Sequence, residues 1–304
     1  MITIASINKL ISSLDDRQER KIFALDSFEG FPEPTEFDNS IRKSRVIQIL
    51  GDVVDEFSLA DGISKGYLTP YNYTVINVEM TPEEQKEYDK FRKLIGKYMN
   101  MDSNPAIYQS RMIIKSVSAK LRGLDQILNG NYEDGQHWLV YCAHSDFLNE
   151  ALEIVEKHTN NGWHYTSKNI DSRDEHIKRF EEEGGILLAV KCLDEGVDIP
   201  LITHGVILSS SMVEREFVQR RGRMLRADKE GKKDLAYIYD LAVMPSPEAD
   251  AGATESIIKN ELKRIHNFVQ DADNAKIATL HFEHLEKLLS HRMKALRRRV
   301  RFDV

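Results

Sequence analysis

Between Gln219 and Arg226 the chain reads Gln-Arg-Arg-Gly-Arg-Met-Leu-Arg. In a short helix Arg223 and Arg226, three residues apart, share one face. Two guanidinium groups on one face, with Gly222 allowing close backbone approach, suit a triphosphate whose charge spreads as its terminal phosphoryl group leaves. The competing reading is a basic helix face that only meets solvent. A second stretch, Glu195-Gly196-Val197-Asp198-Ile199-Pro200, ends about twenty residues upstream, and the two together favour phosphate chemistry.

The elements around them alternate. From 138 to 240, strands are expected at Trp138–Ala143, Trp163–Thr166, Ile186–Cys192, Ile202–Leu208 and Leu235–Tyr239, with helices at Phe147–His158, Arg173–Glu183 and Val213–Leu225. The second of these helices opens on what reads as a capping box, Ser172-Arg173-Asp174-Glu175, and stops at Gly184-Gly185. Such alternation predicts an α/β fold, a RecA-like parallel sheet with helices on both faces. Ligands of these sheets sit at the carboxyl ends of the strands. The Glu195 stretch leaves one such end, and the arginine segment follows another through Ser209-Ser210-Ser211. His144 and Ser145 follow the Trp138 strand to the same edge, where a helix N-terminus could hold a nucleic-acid phosphate or simply be capped by them.

Gln219 to Arg226 resembles motif VI of superfamily 2 helicases. Leu187 to Pro200 resembles their motif V, and Trp138 to His144 their motif IV strand. Gly66-Tyr67-Leu68-Thr69-Pro70-Tyr71 is similar to the way that family leads into its second motor domain. The resemblance runs from about residue 49 to 245, nearest to the DNA-repair and type I/III restriction-like DEAD/DEAH group. It implies a C-terminal motor domain in which Arg223 and Arg226 act as arginine fingers. Asp198 would contact the nucleotide ribose, and Gly196 would permit close approach beside Glu195. Gln219 and Arg220 would join the coupling network. ATP and Mg2+ are the implied cofactors, and nucleic acid, DNA in particular, the implied partner.

The first half of such a motor is not legible. No G-x-x-x-x-G-K-[ST] occurs, no Ser-Ala-Thr tripeptide stands near Phe23–Ser27, and Asp174-Glu175-His176 lies in a polar helix start rather than after an apolar strand. The phosphate and Mg2+ ligands are therefore expected on a first motor domain with a P-loop and a DExx box, supplied by a partner polypeptide or by sequence absent from this chain. A non-hydrolysing module that binds DNA or protein is the alternative.

Before that domain, residues 1–48 read as a helical lead-in, a remnant or edge of the first motor domain, with a loop at Gly30-Phe31-Pro32-Glu33-Pro34. A strand is expected from about Tyr71 to Met80, with Tyr71, Tyr73 and Val75 on one side and Thr74, Ile76 and Val78 on the other, both largely buried. Thr81-Pro82-Glu83-Glu84 is a strong helix start. A single helix then follows from Ala106 to Asn129, with Arg111, Lys115, Lys120 and Arg122 on a solvated face. Ala249 to Thr254 reads as linker. Residues 255–304 form a helical, basic C-terminal extension, continuous from Ile257 to Lys294, in which Arg297, Arg298 and Arg299 are candidates for phosphate contact.

Composition bounds the rest. With 304 residues, 41% apolar and 30% charged, the chain is of globular type. Its net charge of −7 leaves room only for local basic patches. Cys142 and Cys192 sit in apolar runs, and the ten histidines show no ligand spacing, so no metal site made wholly by this chain is expected. No membrane span or secretory leader is apparent, making the cytoplasm the expected compartment.

Overall fold

The computed structural model describes residues 58–97, 105–166, 170–190, 201–209, 220–228, 233–249 and 251–280, with 199, 231, 282, 283, 286, 287 and 290. Ser58–Val304 form one compact unit. The lead-in before Ser58, residues 191–198, Gln219 and the Arg297–Arg299 cluster lie outside the described residues.

The chain opens with α1 (Leu59–Ser64), followed by β1 (Tyr71–Glu79), α2 (Pro82–Lys97), α3 (Pro105–Lys115) and α4 (Ala119–Asn131). Then come β2 (His137–Cys142), α5 (Ser145–Val155), β3 (Gly162–Tyr165), α6 (Ile170–Glu183) and β4 (Gly185–Val190). Last are β5 (His204–Ile207), β6 (Ala236–Met244) and α7 (Ala251–Val269). The six strands pair in the order β1-β6-β5-β2-β4-β3, every pair parallel. This is the expected RecA-like sheet.

Strand alternation sends side chains to two cores. Leu139 and Tyr141 of β2 join Leu187, Ala189, Ile207, Ile238, Tyr71 and Tyr73 on one face, covered by α6 and α7 through Phe180, Ile265 and Phe268. Trp138, Val140, Ile186, Leu188, Val206 and Leu241 line the other, covered by α4 and α5 through Leu124, Ile127, Phe147 and Leu148. Val190, expected in the core, is half-buried at the end of its strand. β6 runs on past Tyr239 to Met244, because it pairs with β1 in register along all nine residues.

Other expectations require correction. The single helix over 106–129 is two helices, parted at Ser116–Ser118. Glu84 closes the expected capping box, receiving the Thr81 amide at 2.9 Å while its own amide reaches the Thr81 hydroxyl at 3.2 Å. Its second carboxylate oxygen accepts the Ser118 amide at 2.8 Å, drawing that amide out of a helical ladder. The Ile114 and Lys115 carbonyls, released by the break, accept from Lys120 Nζ at 2.8 and 3.3 Å. Lys120 is thus fully buried rather than solvated, and Lys115 is buried too. Burial pulls the Lys120 pKa down to about 7.

α6 begins at Ile170, so Ser172 lies inside the helix and is not its cap. The linker read at 249–254 supplies the first turn of α7 from Ala251. The helix expected to continue to Lys294 stops at Val269, turns, and resumes at Ala275. That turn lies along the open edge of β1: Asp273 N donates to Tyr71 O at 2.8 Å, and Asn274 exchanges two bonds with the Tyr73 backbone. The edge strand is covered in this way.

Candidate nucleotide-facing edge

The arginine segment is helical from Arg220 through Met224, and its four arginines divide by direction. Arg220 is 3% exposed; its Nη1 donates to Ser209 O at 2.8 Å, and its guanidinium lies 5.0 Å from the Tyr141 ring centre. Arg221 is also buried, with Nη1 donating to Asn267 O at 2.7 Å and the guanidinium 5.0 Å from the Phe268 ring. Asp271 stands 3.8 Å from it. Arg223 is half-buried and Arg226 exposed. Two neighbours thus fasten the segment to two different elements, and the helix ends at Met224, so Arg226 lies beyond it, bridged to Leu68, and not, as expected, on a helical face shared with Arg223.

The backbone is held as firmly. Gly205 of β5 has no side chain, and Met224 occupies the space a Cβ would need. Thr69 N donates to Leu225 O at 2.7 Å, Ala227 N to Tyr67 O at 3.3 Å, and Leu68 bridges antiparallel to Arg226. The Gly66–Tyr71 lead-in therefore lies alongside the end of the arginine segment. Lys233, buried, donates from Nζ to Met224 O at 2.6 Å and to Arg226 O at 3.2 Å. Burial lowers its pKa to about 8, against the opposing pull of Asp228.

This assembly sits at the carboxyl edge of the sheet. Ser209 N donates to Tyr141 O at 2.9 Å, so the exit of β5 lies against the exit of β2. His144 and Ser145 follow β2 at that edge, both half-buried. His144 is the N-cap of α5, its Nδ1 accepting the Phe147 amide at 3.3 Å. β4 ends at Val190, beside Cys142 of β2, at the same edge. Of the predicted nucleotide set, Arg220, Arg223 and Arg226 are placed together here, whereas Glu195, Gly196, Asp198 and Gln219 lie outside the described residues.

Arg221 and Lys233 were not singled out from the sequence. The resemblance assigns Arg221 no role, and Lys233 lies outside the motifs, in the charged stretch Asp228–Lys233. Among the described residues no group of three or more His, Cys, Asp or Glu could hold a metal ion. No helix among them is long and apolar enough to cross a membrane.

Residues 119–228 match the helicase conserved C-terminal domain. The DNA 3'-5' translocase XPB2 of Sulfurisphaera tokodaii is 24% identical over 204 residues, 60% of this chain and 46% of that protein. The DEAD-box ATP-dependent RNA helicase 22 of Arabidopsis thaliana is 23% identical over 152 residues, 46% of this chain and 26% of that protein. The chain thus spans less than half the length of either relative. Among solved structures, the C-terminal part of the Fun30 ATPase domain aligns at a TM-score of 0.46 and 13% identity, over 74% of this chain and 99% of that one.

Proposed function

We propose, from a chain that carries a superfamily 2 helicase C-terminal domain over residues 119–228, that it works as the second motor domain of an ATP-dependent nucleic-acid helicase or translocase. The relatives' printed activities, ATP-dependent RNA helicase and DNA translocase, support ATP and a nucleic acid as its ligands, and the translocase supports DNA. The observation that carries this reading is the anchoring of the segment that bears the motif's arginines. Arg220 and Arg221 hold the segment to Ser209 and Asn267, while Arg223 is half-buried and Arg226, past the end of the helix, is exposed.

ATP, with Mg2+ held by a first motor domain bearing the P-loop and DExx box, would supply the transferable phosphoryl group. On this chain, Arg223 and Arg226 stabilise negative charge as it develops, and their fixed base spares reorganisation at that moment. Asp198 orients the ribose, Gly196 lets the backbone approach beside Glu195, and Gln219 with Arg220 relays the position of the cleft to the sheet. His144, Ser145 and the Arg297–Arg299 cluster are the candidates for nucleic-acid phosphates.

The test is reconstitution with a gene product that carries the P-loop and DExx box. The isolated chain should hydrolyse no ATP, and the complex should do so in dependence on nucleic acid. Arg226→Ala should lower turnover by about two to four orders of magnitude with little change in nucleic-acid affinity. Loss of binding with hydrolysis spared would instead make Arg226 a backbone-phosphate contact, and the chain a non-hydrolysing binding module.

A further inference from the structure

We infer that Lys233 is a positioning residue for the arginine pair, fixing Arg223 and Arg226 through the carbonyls of the segment that bears them; the catalytic part of this inference rests on the reading above. The helix ends at Met224, where the carbonyls of its last turn lose their helical acceptor role and need other donors. Met224 O would otherwise receive the amide of residue 228, and Arg226 O that of residue 230. Lys233 Nζ reaches both, at 2.6 and 3.2 Å. Leu225 O, between them, is taken by the Thr69 amide at 2.7 Å. Three consecutive carbonyls are thus claimed from outside the segment, two of them by one ammonium.

The placement is selective. Lys233 is only 8% exposed, and burying an ammonium is costly unless its protons are bonded. A lysine that only had to be accommodated would extend to solvent from a loop as charged as 228–233. Here it lies at the C-terminal, electronegative end of a helical segment, where a cation is favoured. Arg221 fixes the body of the segment to Asn267 and Gly205 seats Met224 on β5, while Lys233 and the Tyr67–Thr69 backbone brace the end that carries Arg226. With Lys233 lost, the Met224 and Arg226 carbonyls lose this donor, and the turn that carries Arg226 is loosened.

Two arms of one experiment decide this. In the 304-residue chain alone, amide hydrogen exchange is followed at Thr69, Leu225 and Ala227, with Ile186, bonded to Asn161 O in a distant loop, as reference. Lys233→Met should speed exchange at the first three by about tenfold or more and leave Ile186 unchanged, whereas Lys233→Arg should restore slow exchange. Unchanged exchange at Leu225 and Ala227, or acceleration equal to that at Ile186, would overturn the inference.

In the reconstituted complex, Lys233→Met should lower kcat by about 10²-fold while KM for ATP stays within about twofold, since a misplaced charge stabiliser fails mainly in the transition state. The wild-type kcat should fall above about pH 8 as Lys233, whose pKa burial lowers to about 8 against the opposing charge of Asp228, gives up its proton. Lys233→Arg should abolish that limb. A limb that persists in Lys233→Arg, or a Lys233→Met enzyme with wild-type kcat, would refute the positioning role. If Lys233→Met does not fold, the Lys233→Arg profile decides by itself. An inactive wild-type complex would sink the motor-domain reading, and the exchange arm would still determine whether Lys233 fixes the segment.

Discussion

Replacing Arg264 with methionine should cost about 5 kcal/mol, the upper end for breaking a buried ion pair, because it strands two carboxylates rather than one. Arg264 of α7 is buried and gives two forked pairs of bonds. Its Nε and Nη2 donate to Asp240 of β6, both at 2.9 Å, and its Nη1 and Nη2 to Glu261 at 3.1 and 2.7 Å. Asp240 also accepts the Tyr73 hydroxyl at 2.7 Å, and Glu261 the Val243 amide at 3.2 Å. Burial alone would lower the Arg264 pKa, but Asp240 and Glu261 outweigh it and hold it above the ordinary value. The measurement is urea unfolding followed by the fluorescence of Trp138 and Trp163.

The physical claim is that the cost lies in orphaned charge and not in lost attraction. The triple variant Arg264→Met, Asp240→Leu, Glu261→Leu leaves the Tyr73 hydroxyl and the Val243 amide without these acceptors, each worth about 1–3 kcal/mol, and takes the charges of Asp240 and Glu261 from buried Lys120, which can shed its proton instead. It should therefore be no less stable than Arg264→Met alone. A triple variant clearly less stable than the single one would refute the reasoning and mean that the network is a net source of stability. Because α7 also presents Asn267 and Phe268 to Arg221, the single variant should also loosen the arginine segment.

Lys120 makes stability depend on pH. Folded, it gives up its proton near pH 7, whereas the unfolded lysine keeps its own until about 10.5, so between those values the unfolded chain holds more protons and stability rises with pH; below that window the burial penalty is fully present. Relative to Lys120→Met, the wild type should gain about 2 kcal/mol between about pH 7 and pH 9, and parallel curves would show that the ammonium is not desolvated. Gly205→Ala should lower stability by about 1–3 kcal/mol through crowding against Met224, and Met224→Ala should partly relieve it in the double variant; additive losses in thermal melts would count against that contact. Alanine at Arg297, Arg298 and Arg299 should weaken nucleic-acid binding and reduce its salt dependence by about one unit of slope per lost phosphate contact, and an unaltered slope would exclude them from the interface.

Much of this domain is local and was legible as such. The alternation from Trp138 to Tyr239 fixes a parallel sheet because strands buried on both faces read as continuous apolar runs, and Leu187, Leu188 and Ala189 are indeed fully buried. The Thr81–Glu84 capping box and the Gly184–Gly185 stop need only a few adjacent residues, and the chain has them; Gly184 and Gly185 take φ of 72° and 108°.

What the linear pattern misjudged is the fate of basic side chains. Lys120, Arg221 and Lys233 each stand among charged neighbours, where a cation ordinarily remains in water. Each instead donates to carbonyls at the end of a helical segment: Lys120 at α3, Arg221 at α7, Lys233 behind Met224. The need for those donors arises only once helices break or stop, and the breaks are themselves tertiary. Glu84 parts α3 from α4 by taking the Ser118 amide, 34 residues away in sequence, and the edge of β1 takes the turn after α7 through Asp273 and Asn274, some 200 residues on. Residue type and spacing thus determined the parallel sheet and its alternation with helices. Which cations hold those elements in place was decided by orphaned carbonyls, which exist only in the folded chain.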